Sequence, residues 1–282
     1  MNRLRLQFGT RTFDCALRTH VMGILNVTPD SFSDGGRYLD PDRAVARGEQ
    51  LAADGADFLD VGGESTRPGA DPLPEQEEIR RIVPVIEKLA ARIGIPISID
   101  TYKSGVAEAA IEAGACIVND ISGLTADPKM LDVIVRRNAA AVLMHMAGTP
   151  KSMQTNPTYV HVVNEVREFL ARQAERASNA GVGQIIVDPG IGFGKNLEHN
   201  LELMRNLKSA SPSGYPILVG PSRKSFIGKI LNLTVDERLE GTAAAVAACI
   251  LRGAHIVRVH DVKEMKRVAL VTDALKDRES AT

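Results

Sequence analysis

Eight short apolar runs in this chain each lead into polar or charged residues, and the residue types found there are those of a binding site. The run ends carry Asn26, Glu64-Ser65-Thr66-Arg67, Asp100, Asn119, His145, Asp188, Ser222-Arg223-Lys224, and Arg258 with His260. Charges placed at random would scatter along helix faces instead. Two chemical sets can be drawn from them. Asp100, Asn119 and Asp188 offer acceptors with little bulk, suited to the amidine or guanidine edge of a flat heterocycle. Arg67, Lys224, Arg258 and His260 form a cationic set. Arg258 and His260 are two apart on one strand and should face the same way. A cation and an imidazole in an otherwise apolar strand call for a partner, and an anion such as phosphate supplies it. Each residue also has a plainer use. Asp100 precedes Thr101-Tyr102-Lys103 and would serve as well as a helix N-cap. Asp188 precedes Pro189-Gly190, which suits a cap less. His145, alone after its run, reads as a structural histidine. Gly62, Gly63, Gly69, Gly190, Gly192 and Gly194 all follow runs, where they let backbone approach a ligand or let a loop move.

A repeated unit must position these side chains: a β-branched run followed by a helical stretch. The predicted strands are Val21–Asn26, Phe58–Val61, Ile97–Asp100, Cys116–Asp120, Ala141–His145, Ile185–Asp188, Ile217–Gly220 and Ile256–His260. Their near-continuous apolar character fits strands buried on both faces of a parallel sheet. Helices are predicted over Asp42–Asp54, beginning with a capping acid, and over Glu75–Arg92, Thr158–Ala180, Asp236–Leu251 and Asp261–Leu275. Leu4–Phe8 and Thr12–Leu17 around Gly9 form a hairpin that could close the floor. An open doubly wound sheet would show the same alternation. Eight units, with no GxGxxG after the first, favour a TIM (β/α)8 barrel with an N-terminal β-hairpin, whose site lies where the strands end. No linker or change of composition divides residues 1–282, so one domain is expected.

Composition narrows the partners. A net charge of −1 over 282 residues argues against nucleic acid, and an anion site must be local. Cys15, Cys116 and Cys249 are odd in number and far apart, so they read as reduced thiols. Met1–Gln7 lacks the apolar core of a signal peptide, and no run approaches a membrane span, which points to a cytoplasmic protein.

With these residues assembled, the chain resembles the dihydropteroate synthases over nearly its whole length. The resemblance rests on ordered motifs: GILNVTPDSFSDGG from Gly23, DVGGESTRPG from Asp60, Ile99-Asp100-Thr101, Asn119-Asp120, Met144-His145-Met146 with Gly148-Thr149-Pro150, DPGIGFGK from Asp188, Ser222-Arg223-Lys224-Ser225, and Arg258-Val259-His260. It implies condensation of 6-hydroxymethyl-7,8-dihydropterin pyrophosphate with p-aminobenzoate, in folate biosynthesis, by a homodimer open to sulfonamides. It also implies residue roles. Asp100, Asn119, Asp188 and Lys224 would hold the pterin, with Met144 and Gly220 in contact. Asn26, Arg258 and His260 would hold the pyrophosphate, with Asn26 on a Mg²⁺ ion. Loops carrying Phe32, Asp34, Thr66, Arg67 and Pro68 would close over the aminobenzoate, Phe193 would flank its ring, and Ser225 would receive its carboxylate. Asp34, Lys224, Arg258 and His260 would serve the chemistry, a carboxylate such as that of Asp34 steadying a cationic pterin methylene.

Two rivals share the pocket. A pterin-binding methyltransferase domain would hand a methyl group to a cobalamin partner, but the Ser-Thr-Arg-Pro and Ser-Arg-Lys-Ser segments suit an aminobenzoate site and an anion pocket. A non-catalytic pterin-binding paralogue would have lost Asn26, Arg67, Lys224 or His260, and all four are present.

Overall fold

The apolar runs pair side by side, in chain order, as parallel strands. The computed structural model describes residues 4–28, 40–65, 72–149, 151 and 153–276. Strands β3 (His20–Asn26), β4 (Phe58–Gly62), β5 (Ile97–Asp100), β6 (Ile117–Asp120), β7 (Ala140–Met144) and β8 (Ile185–Asp188) follow one another, and β9 (Leu218–Val219) and β10 (Ile256–Val259) continue on the far side of β3. A parallel bridge from Val187 to Ile217 links β8 towards β9 and nearly closes the barrel. Strands β1 (Arg5–Phe8) and β2 (Arg11–Asp14) form the antiparallel hairpin.

Helices α1 (Pro41–Ala53), α2 (Glu75–Arg92), α3 (Ser104–Glu112), α4 (Met130–Arg136), α5 (Val162–Ala180), α6 (Leu197–Arg205), α7 (Ser225–Leu231), α8 (Leu239–Leu251) and α9 (Val262–Leu275) fill the crossovers. Four of them, α3, α4, α6 and α7, are absent from the sequence reading. The cap of α1 is Asp40, not Asp42; its side chain accepts from Asp42 N and Arg43 N ahead of Pro41. Helix α5 starts four residues later than predicted, where the Glu165 carboxylate takes Val160 N and His161 N at 2.8 Å each. It ends at Gly181, whose φ of 104° is the left-handed cap that glycine tolerates best.

Period two along the strands sorts the barrel interior into layers. Met22, Phe58, Ile117, Val142, Ile186, Leu218 and Ile256 make the apolar lower layer together with Leu6 and Phe13 of the hairpin. The Phe13 and Phe58 rings sit 4.5 Å apart, so the hairpin plugs the floor as the sequence predicts. Each fully buried side chain of this size contributes about 2 kcal/mol. Two residues further along the same strands the side chains become Asp60, Asn119, Met144, Asp188, Gly220 and Arg258, with Asp100 following Ser98 on β5. A pleat that must point inward at Phe58 must also point inward at Asp60. The chemistry is the upper layer of the barrel core.

Candidate active site

That upper layer opens into a narrow cleft lined by Asp100, Asn119, Ile121, Met144, Asp188, Ile191, Phe193, Gly220, Lys224 and Arg258. Eight of these ten are residues the sequence puts forward for substrate contact. A roomier cavity lies at the floor beside the hairpin. There Gln7 and Gln184 satisfy each other (Gln7 N to Gln184 Oε1, 2.6 Å; Gln184 Nε2 to Gln7 O, 2.9 Å), so its polar lining is not convergent.

At the centre of the upper layer Arg258 is clasped by two carboxylates. Its Nε donates to Asp60 Oδ2 at 2.5 Å and its Nη2 to Asp100 Oδ2 at 2.6 Å. Asn119 Nδ2 donates to the same Asp60 oxygen at 3.0 Å. Asp60 is fully buried and was not singled out from the sequence, although the inward phase of β4 set by Phe58 would have found it. Asp100 is not a helix cap: α3 starts at Ser104, whose N–H goes to Asp127. Burial pushes Asp100 up to about 7 against the pull of Arg258, with Asp60 adding to the rise. Its Oδ1 is buried with no partner among the described residues, an acceptor left for a ligand.

Asp188 faces the same cleft. Its Oδ1 takes the Gly190 N–H at 2.7 Å. Burial raises it to about 6, while that hydrogen bond and the Lys224, Lys195 and Arg258 charges pull down. Lys224 lies over the Phe193 ring, its Nζ 3.9 Å from the centroid. Burial and Arg258 bring it down to about 8 against Asp188 and Asp100. The residue before it, Arg223, adopts φ 56°, an uncommon conformation for a side chain of its size. It is held there by Asp261 (3.1 and 2.6 Å) and by its N–H to Thr242 Oγ1, so Arg223 points outward and Lys224 inward.

His260 lies one residue past β10, at the rim of the barrel mouth next to Ser222. Its Nδ1 meets Ser222 Oγ at 3.0 Å, and burial, helped by Arg258 and Arg223, drops it to about 3; it is neutral, not part of a cationic set. Arg258 keeps its charge, with Nε on Asp60, Nη2 on Asp100 and no partner on Nη1 among the described residues. Asn26, at the tip of β3, and Ser225, exposed at the first turn of α7, lie outside the cleft lining. Glu64, at a run end, is spent on Lys103 beside Glu78, on Tyr102 OH (2.7 Å) and on Leu73 N (3.1 Å). Phe32, Asp34, Thr66, Arg67 and Pro68 lie outside the described residues. Among those described, no group of three His, Cys, Asp or Glu could hold a metal, and no helix is long and apolar enough to cross a membrane. The three cysteines are free thiols, raised to about 12 (Cys15, Cys249) and about 11 (Cys116) mainly by burial.

An acceptor-lined mouth on a parallel eight-stranded barrel is the architecture of the pterin binding enzymes, and that family matches residues 22–260. A dihydropteroate synthase of Synechocystis sp. is 47% identical over 273 residues, 96% of this chain and 94% of the relative. Among solved structures, the Yersinia pestis dihydropteroate synthase with a sulfonamide drug superposes with a TM-score of 0.90 at 41% identity, covering 96% of this chain and 98% of that one. The Xanthomonas albilineans dihydropteroate synthase with 4-aminobenzoic acid gives 0.89 at 42%, with the same coverage. The chain belongs to the dihydropteroate synthase family.

Proposed function

We propose that the upper-layer cleft binds 6-hydroxymethyl-7,8-dihydropterin pyrophosphate and that the chain, acting as one domain, joins its methylene to the amine of p-aminobenzoate. The observation that carries this reading is the convergence of Asp100, Asn119 and Asp188 with a Lys224 stacked on Phe193 in one narrow cleft. Asp188 and the free Oδ1 of Asp100 accept from the amidine edge of the pterin. Asn119, fixed by its bond to Asp60, adds amide contact. Lys224 donates to the ring carbonyl, and Met144 and Gly220 leave a flat slot. Arg258, held by its two carboxylates, presents its remaining Nη1 towards the leaving pyrophosphate, and neutral His260 offers a ring N–H. An arylamine is a weak nucleophile, so these residues work by favouring departure of pyrophosphate rather than by deprotonating the amine.

Asn26 brings a hard amide oxygen at the tip of β3, which suits one position of a Mg²⁺ ion whose other ligands come from phosphate and water. When bound, that ion would neutralise charge on the departing pyrophosphate. Asp34, Thr66, Arg67, Pro68, Phe193 and Ser225 are proposed for the aminobenzoate side, where a sulfonamide would compete. The chain is also proposed to act in the cytoplasm as a homodimer, through an apolar face on α7, α8 and α9.

Incubating the protein with both substrates and Mg²⁺ tests the reading directly. Pyrophosphate and 7,8-dihydropteroate are expected in equal amounts. A pterin pocket that binds its ligand but never releases pyrophosphate would mean a methyltransferase domain or a non-catalytic paralogue.

A further inference from the structure

Behind the pterin cleft, on the far side of the loop after β8, lies a cation that the proposed chemistry does not use. Lys195 is 2% exposed. Its Nζ is enclosed by His145 Nδ1 at 3.1 Å and by the carbonyl oxygens of His145 (3.2 Å), Gly190 (3.0 Å) and Phe193 (2.9 Å). Gly190 and Phe193 belong to the loop, and His145 directly follows β7, so one side chain ties loop to strand tip. An ammonium has no lone pair, so His145 accepts at Nδ1 and carries its proton on Nε2. Burial, with Lys195 adding to it, keeps that imidazole neutral, down to about 3.

A methionine would fill this space without desolvating a charge, so the position calls for what an ammonium alone can do. Three carbonyls and a ring nitrogen use all three of its protons. The charge is drawn by Asp188: burial brings Lys195 down to about 7, Asp188 opposes that fall, and Lys224 adds to it. The other polar groups around the loop are neutral or spent. Tyr159, just before α5, gives its hydroxyl to Gly194 O at 2.8 Å, and Asn200 of α6 takes Gly192 N at 2.6 Å.

We propose that Lys195 is a positioning residue of the pterin pocket, which fixes the 190–195 loop against the end of β7 and, alongside Lys224, places positive charge behind the Asp188 carboxylate. This rests on the reading that Asp188 receives the pterin. Lys195 touches no substrate; it acts through the Gly190 N–H and the Asp188 carboxylate.

The test is Lys195→Met in the full chain, with binding of the pterin pyrophosphate followed by calorimetry across the acid range. Affinity near neutral pH is expected to fall about tenfold or more, and the acid-side midpoint of binding to rise by about one pH unit, because Asp188 loses a counter-charge. A packing role alone would weaken binding without moving that midpoint. A folded variant with unchanged affinity, or with weaker affinity and an unmoved midpoint, overturns the proposal. A second measurement leaves Lys195 in place and reads its titration by carbon-13 NMR in the parent chain and in Asp188→Asn. The Lys195 pKa is expected to drop by roughly one unit in the variant, and equal values overturn the coupling. Calorimetry on Asp188→Asn separates the two readings. If that variant binds pterin as tightly as the parent, the role of Asp188 is wrong; if it loses pterin while Lys195→Met keeps it, only the role of Lys195 falls.

Discussion

Two carboxylates of the upper layer are pushed towards their neutral form by the barrel around them. Asp188 and Asp100 are raised, chiefly by burial, to about 6 and about 7. An unfolded aspartate titrates near 3.9. The folded chain therefore binds the Asp188 proton more tightly than the unfolded one. The resulting penalty is full above about pH 6 and gone below about pH 4. Asp188→Asn, which keeps an oxygen for the Gly190 N–H, should stabilise the free protein by on the order of 2 kcal/mol at neutral pH, or roughly 5 °C in Tm. The gain should fade towards pH 4, while pterin binding is lost throughout. Thermal melts at the two pH values decide it; a variant less stable at neutral pH would show that the carboxylate is a net support. At this scale the sequence was informative where a polar residue closes a run, as at Asp100, Asn119 and Asp188. It was silent on Asp60 and Lys195, whose partners lie on distant strands and loops. It could not give the protonation state of His260, because burial, not residue type, decides whether an imidazole is charged.

The elements were legible in proportion to their length. Helix α2 matches its predicted span, since eighteen residues give five turns of apolar repeat. Helices α3, α4, α6 and α7 have seven to nine residues each, too few turns for a period to stand out. Strand β9 keeps two residues between Ile217 and Gly220. What no run of residue types could show is how tightly the β8 loop is folded onto β7. Gly190 has φ 70°, and a Cβ built there would lie 2.0 Å from the His145 carbonyl oxygen, the same oxygen that accepts from Lys195. Gly190→Ala cannot be absorbed by a side-chain rotation, because the obstacle is backbone. It should cost at least about 2 kcal/mol in unfolding free energy and push the Gly190 N–H off Asp188, weakening pterin binding about tenfold or more. Denaturant unfolding and pterin calorimetry on the same sample check both, and an alanine variant equal to the parent in stability would mean the loop yields freely.

Across the whole molecule the two ends of the barrel treat acids in opposite ways. At the floor, burial pushes Asp57 up, but Arg18, Lys266 and the Val21 N–H hold it well below the usual carboxylate range. At the mouth, Asp100 and Asp188 are raised and the Oδ1 of Asp100 is left open. Stability is thus lodged at one end and reactivity at the other, as the barrel fold allows. The outer shell carries a third feature. Ile230 and Leu231 on α7, Leu251 on α8, and Leu270, Val271 and Leu275 on α9 are each about half exposed or more, and α8 packs against both α7 and α9. Large exposed apolar side chains on three adjacent helices are what a second copy would cover. Val271→Glu with Leu275→Glu, one helical turn apart, places two charges on that face near the end of α9, away from Lys224 and the cleft. Sedimentation equilibrium should find the parent chain as a dimer and the double variant as a monomer, with pterin affinity retained because each barrel keeps its own mouth. A parent chain that sediments as a monomer at high concentration would leave this face without its proposed partner. A double variant that stays dimeric would move the interface elsewhere on the shell.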